Sequence, residues 1–329
     1  MRKFLVALLA LCAAPAVAQI PRTPDGKPDF QGVWENRWLT PLEKTGTFTQ
    51  LSVTQQQADV IVASVRKMAK TISELANDPE AGDPDAHSLA VVRGEYRTRM
   101  IIEPADGMLP YTPEGQKAAM QQQAWFTQRV ITGRGEGPED RLTWERCLAG
   151  MGQAPMLYGW AVAAFRQIVQ TKDAVVIHSE GGGETRIIRI GGKPLPAGMG
   201  TFIGDSVARW EGDTLVVETT GFRKDDQFRM FVTGRPIMVG VNSKVVERFA
   251  RVSGAELNYR FTVEDPAIYA KPWLAEYSLI PAPKGSDGKM FEFACHEGNY
   301  GLPNILSGQR QIEARKVVAA QAKPATPAK

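Results

Sequence analysis

The feature that most constrains this chain is a change of period near residue 165. Beyond it, short runs of strand-favouring residues recur between turn signals, at 167–170, 174–178, 186–190, 206–210, 215–219, 245–252, 257–263, 273–280 and 290–295. No helical pattern interrupts them. Leu257, Tyr259, Phe261 and Val263 alternate with Asn258, Arg260 and Thr262, the period-two signature of a strand with one apolar face. Glu211-Gly212-Asp213 and Ser253-Gly254-Ala255 suit tight hairpin connections. Strands joined this way predict an antiparallel meander, which if left open carries two unpaired edges. Closure into an up-and-down barrel of the calycin or lipocalin kind removes both. The expected fold is therefore mainly β, a meander barrel from about Phe165 to Cys295, with N-terminal helices packed against it or closing one end.

The preceding half reads differently. Pro24-Asp25-Gly26 is a turn, since Pro presets φ and Gly admits positive φ. Thr54 caps a helical pattern in which Ala58, Ile61, Val62, Val65, Met68 and Ile72 share one face. Residues 77–85 are acidic and turn-rich, hence an exposed loop. Thr112-Pro113-Glu114 opens a second helix that runs to about Arg129, and residues 132–139 form a glycine-rich loop.

The first residues read as a secretory signal. Arg2 and Lys3 precede an apolar run over residues 4–14, and Ala16-Val17-Ala18 supplies the small-x-small cleavage pattern. That run is shorter than the roughly 20 residues a membrane span needs, and no later stretch reaches that length. The organisation expected is thus a signal peptide at 1–18, a helical and extended region at 19–164, a barrel domain at 165–312 and a disordered Ala/Pro/Lys-rich tail at 313–329. The mature chain has no integral membrane segment and is placed in the periplasm. A formal charge of +3 with no basic run gives nothing that points to nucleic acid, and no nucleic-acid partner is expected.

Of three cysteines, Cys12 leaves with the signal, so Cys147 and Cys295 remain. In an oxidising compartment a lone pair reads as a disulfide. Closing a loop of about 150 residues removes nearly 5 kcal/mol of unfolded-state entropy in the chain-entropy model. The alternative is a nucleophilic thiol at Cys295, beside His296.

The chemistry-bearing residues concentrate in Cys295-His296-Glu297-Gly298-Asn299-Tyr300, in a chain with only three histidines. His296 with Glu297 suits proton transfer near neutral pH, and Tyr300 and Asn299 suit the orientation of a substrate oxygen. Adjacent strand residues face opposite ways, so this set acts together only if the strand has ended, which Gly298 allows. The competing reading is a loop whose polar groups satisfy backbone around the disulfide. A second set is Asp205, Arg209, Glu247 and Arg248. Asp205, Val207 and Arg209 share a strand face, and if it lines the barrel an arginine there would clamp a ligand carboxylate. The alternative is structural bridging between neighbouring strands. His178 reads as solvated or locally bonded and His87 as surface. No metal-ligand spacing is present, Gly181-Gly182-Gly183 joins strands rather than opening a helix, and no nucleophile elbow occurs. Neither metal nor cofactor is expected, and nothing specifies the oligomeric state.

Several segments together carry a resemblance. They are 22–29 (Arg-Thr-Pro-Asp-Gly-Lys-Pro-Asp), 101–107 (Ile-Ile-Glu-Pro-Ala-Asp-Gly), Gly204-Asp205-Ser206 running into 209–220, 246–249, 263–267 and the 295–301 motif. They resemble a large group of exported proteins of soil and aquatic Gram-negative bacteria, including sphingomonads and acidobacteria, over nearly the whole mature chain. The chain is also similar to sphingomonad enzymes that process lignin-derived phenylcoumaran acids. No catalytic residue is carried over from either. The resemblance and the polar cluster imply a cofactor-independent lyase or decarboxylase acting on a small aromatic acid. In that scheme Arg209 or Arg248 holds the carboxylate, and His296 or Tyr300 moves the proton. The alternative is a non-catalytic periplasmic binding protein for a hydrophobic small molecule.

Overall fold

The computed structural model describes residues 20–46, 48–77, 88–131, 135–150, 152–157, 164–196, 198–224, 228–229, 235–284 and 289–321. The segment 1–18 expected to be a signal peptide, most of the stretch 77–85 expected to be a loop, His87, residues 132–134 and the last eight residues lie outside them.

In chain order the elements are β1 (Gly32–Glu35), β2 (Ser52–Val53), α1 (Gln55–Ala76), β3 (Val91–Val92), β4 (Glu95–Arg97), β5 (Ile101–Glu103) and α2 (Pro113–Phe126). Then follow β6 (Phe165–Gln170), β7 (Ala174–Ser179), β8 (Glu184–Ile190), β9 (Asp205–Glu211), β10 (Thr214–Thr220), β11 (Phe228–Arg229) and β12 (Ile237–Met238). β13 (Lys244–Ser253), β14 (Glu256–Glu264), β15 (Trp273–Pro281) and α3 (Gly301–Gln321) complete the chain.

Nine strands close a barrel in the order β1-β6-β7-β8-β9-β10-β13-β14-β15, and β1 pairs back onto β15 through Trp34↔Pro281 and Glu35↔Ile280. The expected barrel is present, with two differences of detail. The segment 290–295 is not a strand; Phe291 to Ala294 are exposed. The ninth strand is β1, from the N-terminal region. It pairs with β6 along all four residues and with β15 at Pro281 and Ile280, and β5 pairs with the start of β15 through Leu274↔Glu103 and Ala275↔Ile101, so β15 is already occupied where a later segment would join. The second difference is that β8 and β9 run parallel, Ile188 opposite Ser206, while every other barrel pairing is antiparallel. A parallel step needs a crossover, and residues 191–204 supply it.

Connectivity makes the two barrel ends unlike. The tight turns at 171–173, 212–213 and 254–255 lie at one end. The other collects the crossover's arrival, the long excursion at 221–243 and the β14–β15 loop. Inside, period-two alternation puts Ile177, Ile188, Leu215, Val217, Phe249, Tyr259, Phe261 and Tyr277 in one continuous core. An aromatic file runs through it: Phe249–Tyr259, Tyr259–Phe261 and Phe261–Trp273 have ring centroids 5.0, 5.5 and 5.6 Å apart. Such contacts add to the area term, about 0.5–1.5 kcal/mol per pair.

The helices are attached with unequal firmness. α2 begins at Thr112, whose hydroxyl accepts from Gly115 N at 2.9 Å, and its first turn lies against the β14–β15 loop. A Cβ at Gly115 would overlap the Ile268 carbonyl, so glycine is what permits this approach. α1 carries the capping box of Thr54 and Gln57 and ends on left-handed Asn77. Of its apolar face Ala58 is buried and Ile61 and Val62 are half-buried, while Val65, Met68 and Ile72 are exposed, so the face expected to pack is open over most of the helix. α3 extends to Gln321, past residue 313 where composition predicts a disordered tail. Its Ala, Gln, Arg, Glu and Lys content favours helix, and Pro303 stands in the first turn, where its missing N–H costs nothing.

Candidate functional site

Two features share the loop end of the barrel: a buried polar belt inside and an open cleft on its wall. The belt arises because the inward phase of several strands carries polar residues at corresponding heights. Arg186 in β8 meets Glu247 in β13 through two hydrogen bonds, 2.8 and 2.9 Å, with both side chains essentially inaccessible. Tyr259 donates to the same carboxylate at 2.7 Å. Arg166, fully buried in β6, donates to Asn36 Oδ1 at 2.6 Å. Ser206 and Thr219 bond one another at 2.9 Å beneath Glu247.

The belt grips a strap of the chain. Residues 152–157 are buried, and their Met156 amide donates to Tyr259 Oη at 2.9 Å while its carbonyl accepts from Tyr277 Oη at 2.5 Å. Gln153 Nε2 donates to Phe202 O at 3.0 Å, and the Glu184 carboxylate accepts from Gly150 N and Gly152 N. Electrostatics follows from burial. Desolvation pulls the Arg186 guanidinium down, but the Glu247 carboxylate more than offsets it, so Arg186 titrates above its usual range. Burial, and then Glu247, push the Tyr259 phenol well up, and burial raises Tyr277. Both phenols remain donors at any physiological pH. Burial lowers Arg166. This belt anchors the strap; its strongest acceptors are committed to neighbours within the chain.

The cleft lies between the crossover and the segment leaving β10. It has a volume of about 830 Å3 and is lined by Leu195, Pro196, Met199, Phe222 and Val241, with Arg223 and Lys224 adding positive charge. Asp205 stands in its floor. The Asp205 carboxylate is held by Arg189 at 2.7 and 3.1 Å and accepts from Leu195 N at 2.8 Å, which pins the start of the crossover to the start of β9. The Arg189 hydrogen bond holds Asp205 below the ordinary carboxylate range, against the opposing effect of desolvation. The Arg223 guanidinium lies 4.5 Å over the Phe202 ring. Gly204, with φ +75°, is packed so closely that a Cβ would fall 2.6 Å from Thr219 Cγ2.

The residues singled out from sequence fall in three places. Asp205 lies in the cleft, paired with Arg189. Glu247 is inside the barrel, paired with Arg186 rather than offered to a ligand. Arg209 and Arg248 stand outside the barrel, both on Glu211, at 2.6 and 2.9 Å. The inward face of β9 carries Ser206 and Ala208, both buried, so the face of Asp205, Val207 and Arg209 turns the other way. Glu247 and Arg248 are neighbours on one strand and so cannot share a side.

Cys147 and Cys295 are joined in a disulfide, with Cα atoms 5.6 Å apart, which removes the reactive-thiol reading of Cys295. The turn 295–298 wraps this bond. Asn299 Nδ2 donates to Glu145 O at 3.2 Å, while His296, Glu297 and Tyr300 are exposed. His178 Nδ1 lies 2.9 Å from Thr185 Oγ1, a local bond. Among the described residues no group of three His, Cys, Asp or Glu side chains is arranged to hold a metal ion, and no helix is long and apolar enough to cross a membrane.

Sequence reading missed Arg166, Arg186, Tyr259 and Tyr277 in the belt and Phe222, Arg223 and Lys224 in the cleft. The belt had a usable signal. Arg186 shares its strand phase with Ile188, and Glu247 shares its phase with Val245 and Phe249, so opposite charges sat in two apolar registers. The cleft had none, because its walls come from segments without period. Comparison with family models, with curated proteins and with solved structures returns no match.

Proposed function

We propose that this protein binds a small, largely apolar organic acid, of the lignin-derived aromatic kind, in the cleft between residues 195–200 and 220–224. The observation that carries the reading is the cleft's size and mixed lining. Small-molecule sites typically measure about 300–1,000 Å3, mostly apolar with a few polar groups that fix orientation. Leu195, Pro196, Met199, Phe222 and Val241 offer hydrocarbon contact, and Arg223 and Lys224 offer charge to a carboxylate. Among the described lining residues the acidic group is Asp205, and it is paired with Arg189 at 2.7 Å.

Between the two classes expected from sequence, this geometry favours the binding protein. The acid–base candidates His296, Glu297 and Tyr300 are exposed on the disulfide turn, and Arg209 and Arg248 are engaged with Glu211 on the outer surface. A periplasmic setting fits the disulfide, which persists in oxidising compartments.

The test uses a panel of lignin-derived aromatic acids with calorimetric titration, and mass spectrometry for released CO2 or formaldehyde. Met199→Trp and Leu195→Trp fill the cleft from exposed positions and leave the core untouched. Binding that weakens at least tenfold in both variants, without turnover, supports the reading. Binding indifferent to both, or none at millimolar ligand, overturns it. Turnover abolished by cleft filling moves the same cleft to the lyase class.

A further inference from the structure

A carboxylate is an unexpected group in the floor of a cleft whose cations, Arg223 and Lys224, suit an anion. The Asp205 side chain is 6 % exposed, and a carboxylate so far removed from water needs its oxygens bonded. The protein bonds them unevenly. Oδ2 accepts from Arg189 Nη2 at 3.1 Å and from Leu195 N at 2.8 Å, which engages both of its lone pairs. Oδ1 accepts from Arg189 Nη1 alone, at 2.7 Å. A carboxylate has about four acceptor sites, and among the described residues nothing donates to the fourth, on Oδ1. The Arg189 hydrogen bond holds the group below the ordinary carboxylate range, so at neutral pH it is ionised and can only accept.

The open acceptor and the cations stand within one small molecule's length of each other. Asp205 opens β9 and lies opposite Thr220, the last residue of β10. Arg223 follows three residues later on the same wall. Three residues of extended chain reach at most about 10 Å, and the positive φ of Gly221 bends this stretch, which shortens the interval. A single aromatic ring with substituents on opposite sides suits it. Leu195, Met199, Phe222 and Val241 supply apolar walls for the ring.

We propose that Asp205 selects the ligand of this cleft: a one-ring aromatic acid whose far side carries a hydrogen-bond donor, hydroxyl or amino, given to Oδ1 while Arg223 or Lys224 takes the carboxylate. The proposal rests on the reading of the cleft as a binding site for an organic acid and adds the residue that discriminates among such acids. A hydrogen bond to an ionised acceptor is worth about tenfold in affinity or more. A methyl ether in the donor's place loses that bond and also sets an oxygen against Oδ1, which is then cut off from water with no donor. A site that hydrogen-bonds a ligand group rejects the analogue lacking it more strongly than an apolar wall can.

Calorimetric titration at neutral pH with 4-hydroxybenzoate, 4-aminobenzoate, benzoate and 4-methoxybenzoate tests this. The hydroxy and amino acids should bind about tenfold tighter than benzoate or better, and the methoxy acid weakest of the four. Asp205→Asn exchanges the ionised acceptor for a neutral amide and should narrow the hydroxy-to-methoxy ratio by about fivefold or more. A role confined to pinning Leu195 would lower all four affinities together and leave that ratio unmoved, so an unmoved ratio overturns the proposal. The ligand series on the unsubstituted protein decides the matter even where the variant does not fold. Equal affinity for all four acids, each weakened by Met199→Trp, overturns the selection by Asp205 and leaves the cleft reading standing. Binding of none of them at millimolar concentration overturns both.

Discussion

Glu247 and Arg248 are adjacent on β13, yet removing their carboxylate and guanidinium should have very different consequences. Glu247→Ala takes both hydrogen bonds from Arg186, 2.8 and 2.9 Å, and the acceptor from Tyr259, 2.7 Å. Arg186 is then left charged where its side chain is 2 % exposed. Breaking one partner of such a pair costs about 3–5 kcal/mol, because the remaining ion has neither water nor counter-charge. In a domain of this size each kcal/mol moves the melting temperature by about 2–4 °C, so a fall on the order of 10 °C is expected. Arg248→Ala removes an exposed pair with Glu211, which should be worth under about 1 kcal/mol. Replacing both charges, Arg186→Met with Glu247→Leu, should recover most of the loss, since the desolvation cost disappears with the pair. Thermal and urea unfolding of the four proteins decides the matter. Equal effects at 247 and 248, or a double substitution as damaging as Glu247→Ala alone, would refute the assignment of a buried pair that organises the barrel mouth.

Two further outcomes follow from local geometry. Asp205 has its folded pKa depressed by Arg189, so its contribution is present above the unfolded value of about 4 and is lost as pH falls through the lower folded value. Asp205→Asn should therefore lower stability at pH 6 and flatten its decline below about pH 4; parallel melting curves from pH 6 to pH 2.5 for the two proteins would count against this. Gly115→Ala forces a Cβ into the Ile268 carbonyl, so α2 should lift from the β14–β15 loop. Amide exchange in residues 113–126 should then rise while the barrel strands stay protected, and unchanged exchange would show that the contact does not hold the helix.

Much of the barrel was legible because alternation is a local property. A strand with one wet and one dry face must write polar and apolar residues in turn, and eight of the expected runs are barrel strands. The disulfide was legible for a chemical reason: once an oxidising compartment is expected, a lone pair of cysteines has one economical fate. The segment 290–295 shows the limit of that reading. Its residues suit a strand, but a strand also needs an edge, and β1 and β5 together had taken the one on β15. The four residues of β1 lie in a turn-rich stretch, where nothing local marks them as the closing stave.

The site divides along the same line. That residues 295–300 cluster polar chemistry is a fact of sequence; that they wrap a disulfide in the open depends on where 144–147 arrive from elsewhere in the chain. That Asp205 and Arg209 share a face is fixed by the pitch of a strand, but which face looks inward is set by the closure of the whole ring. Sequence alone determined the period, the turns and the cysteine pair, since each rests on residues near in the chain or few in number. Tertiary structure decided the parallel step, the closing strand, the cleft and the pairing of Arg186 with Glu247. Those depend on which distant segments meet, and a contact between residues 61 positions apart leaves no periodic trace.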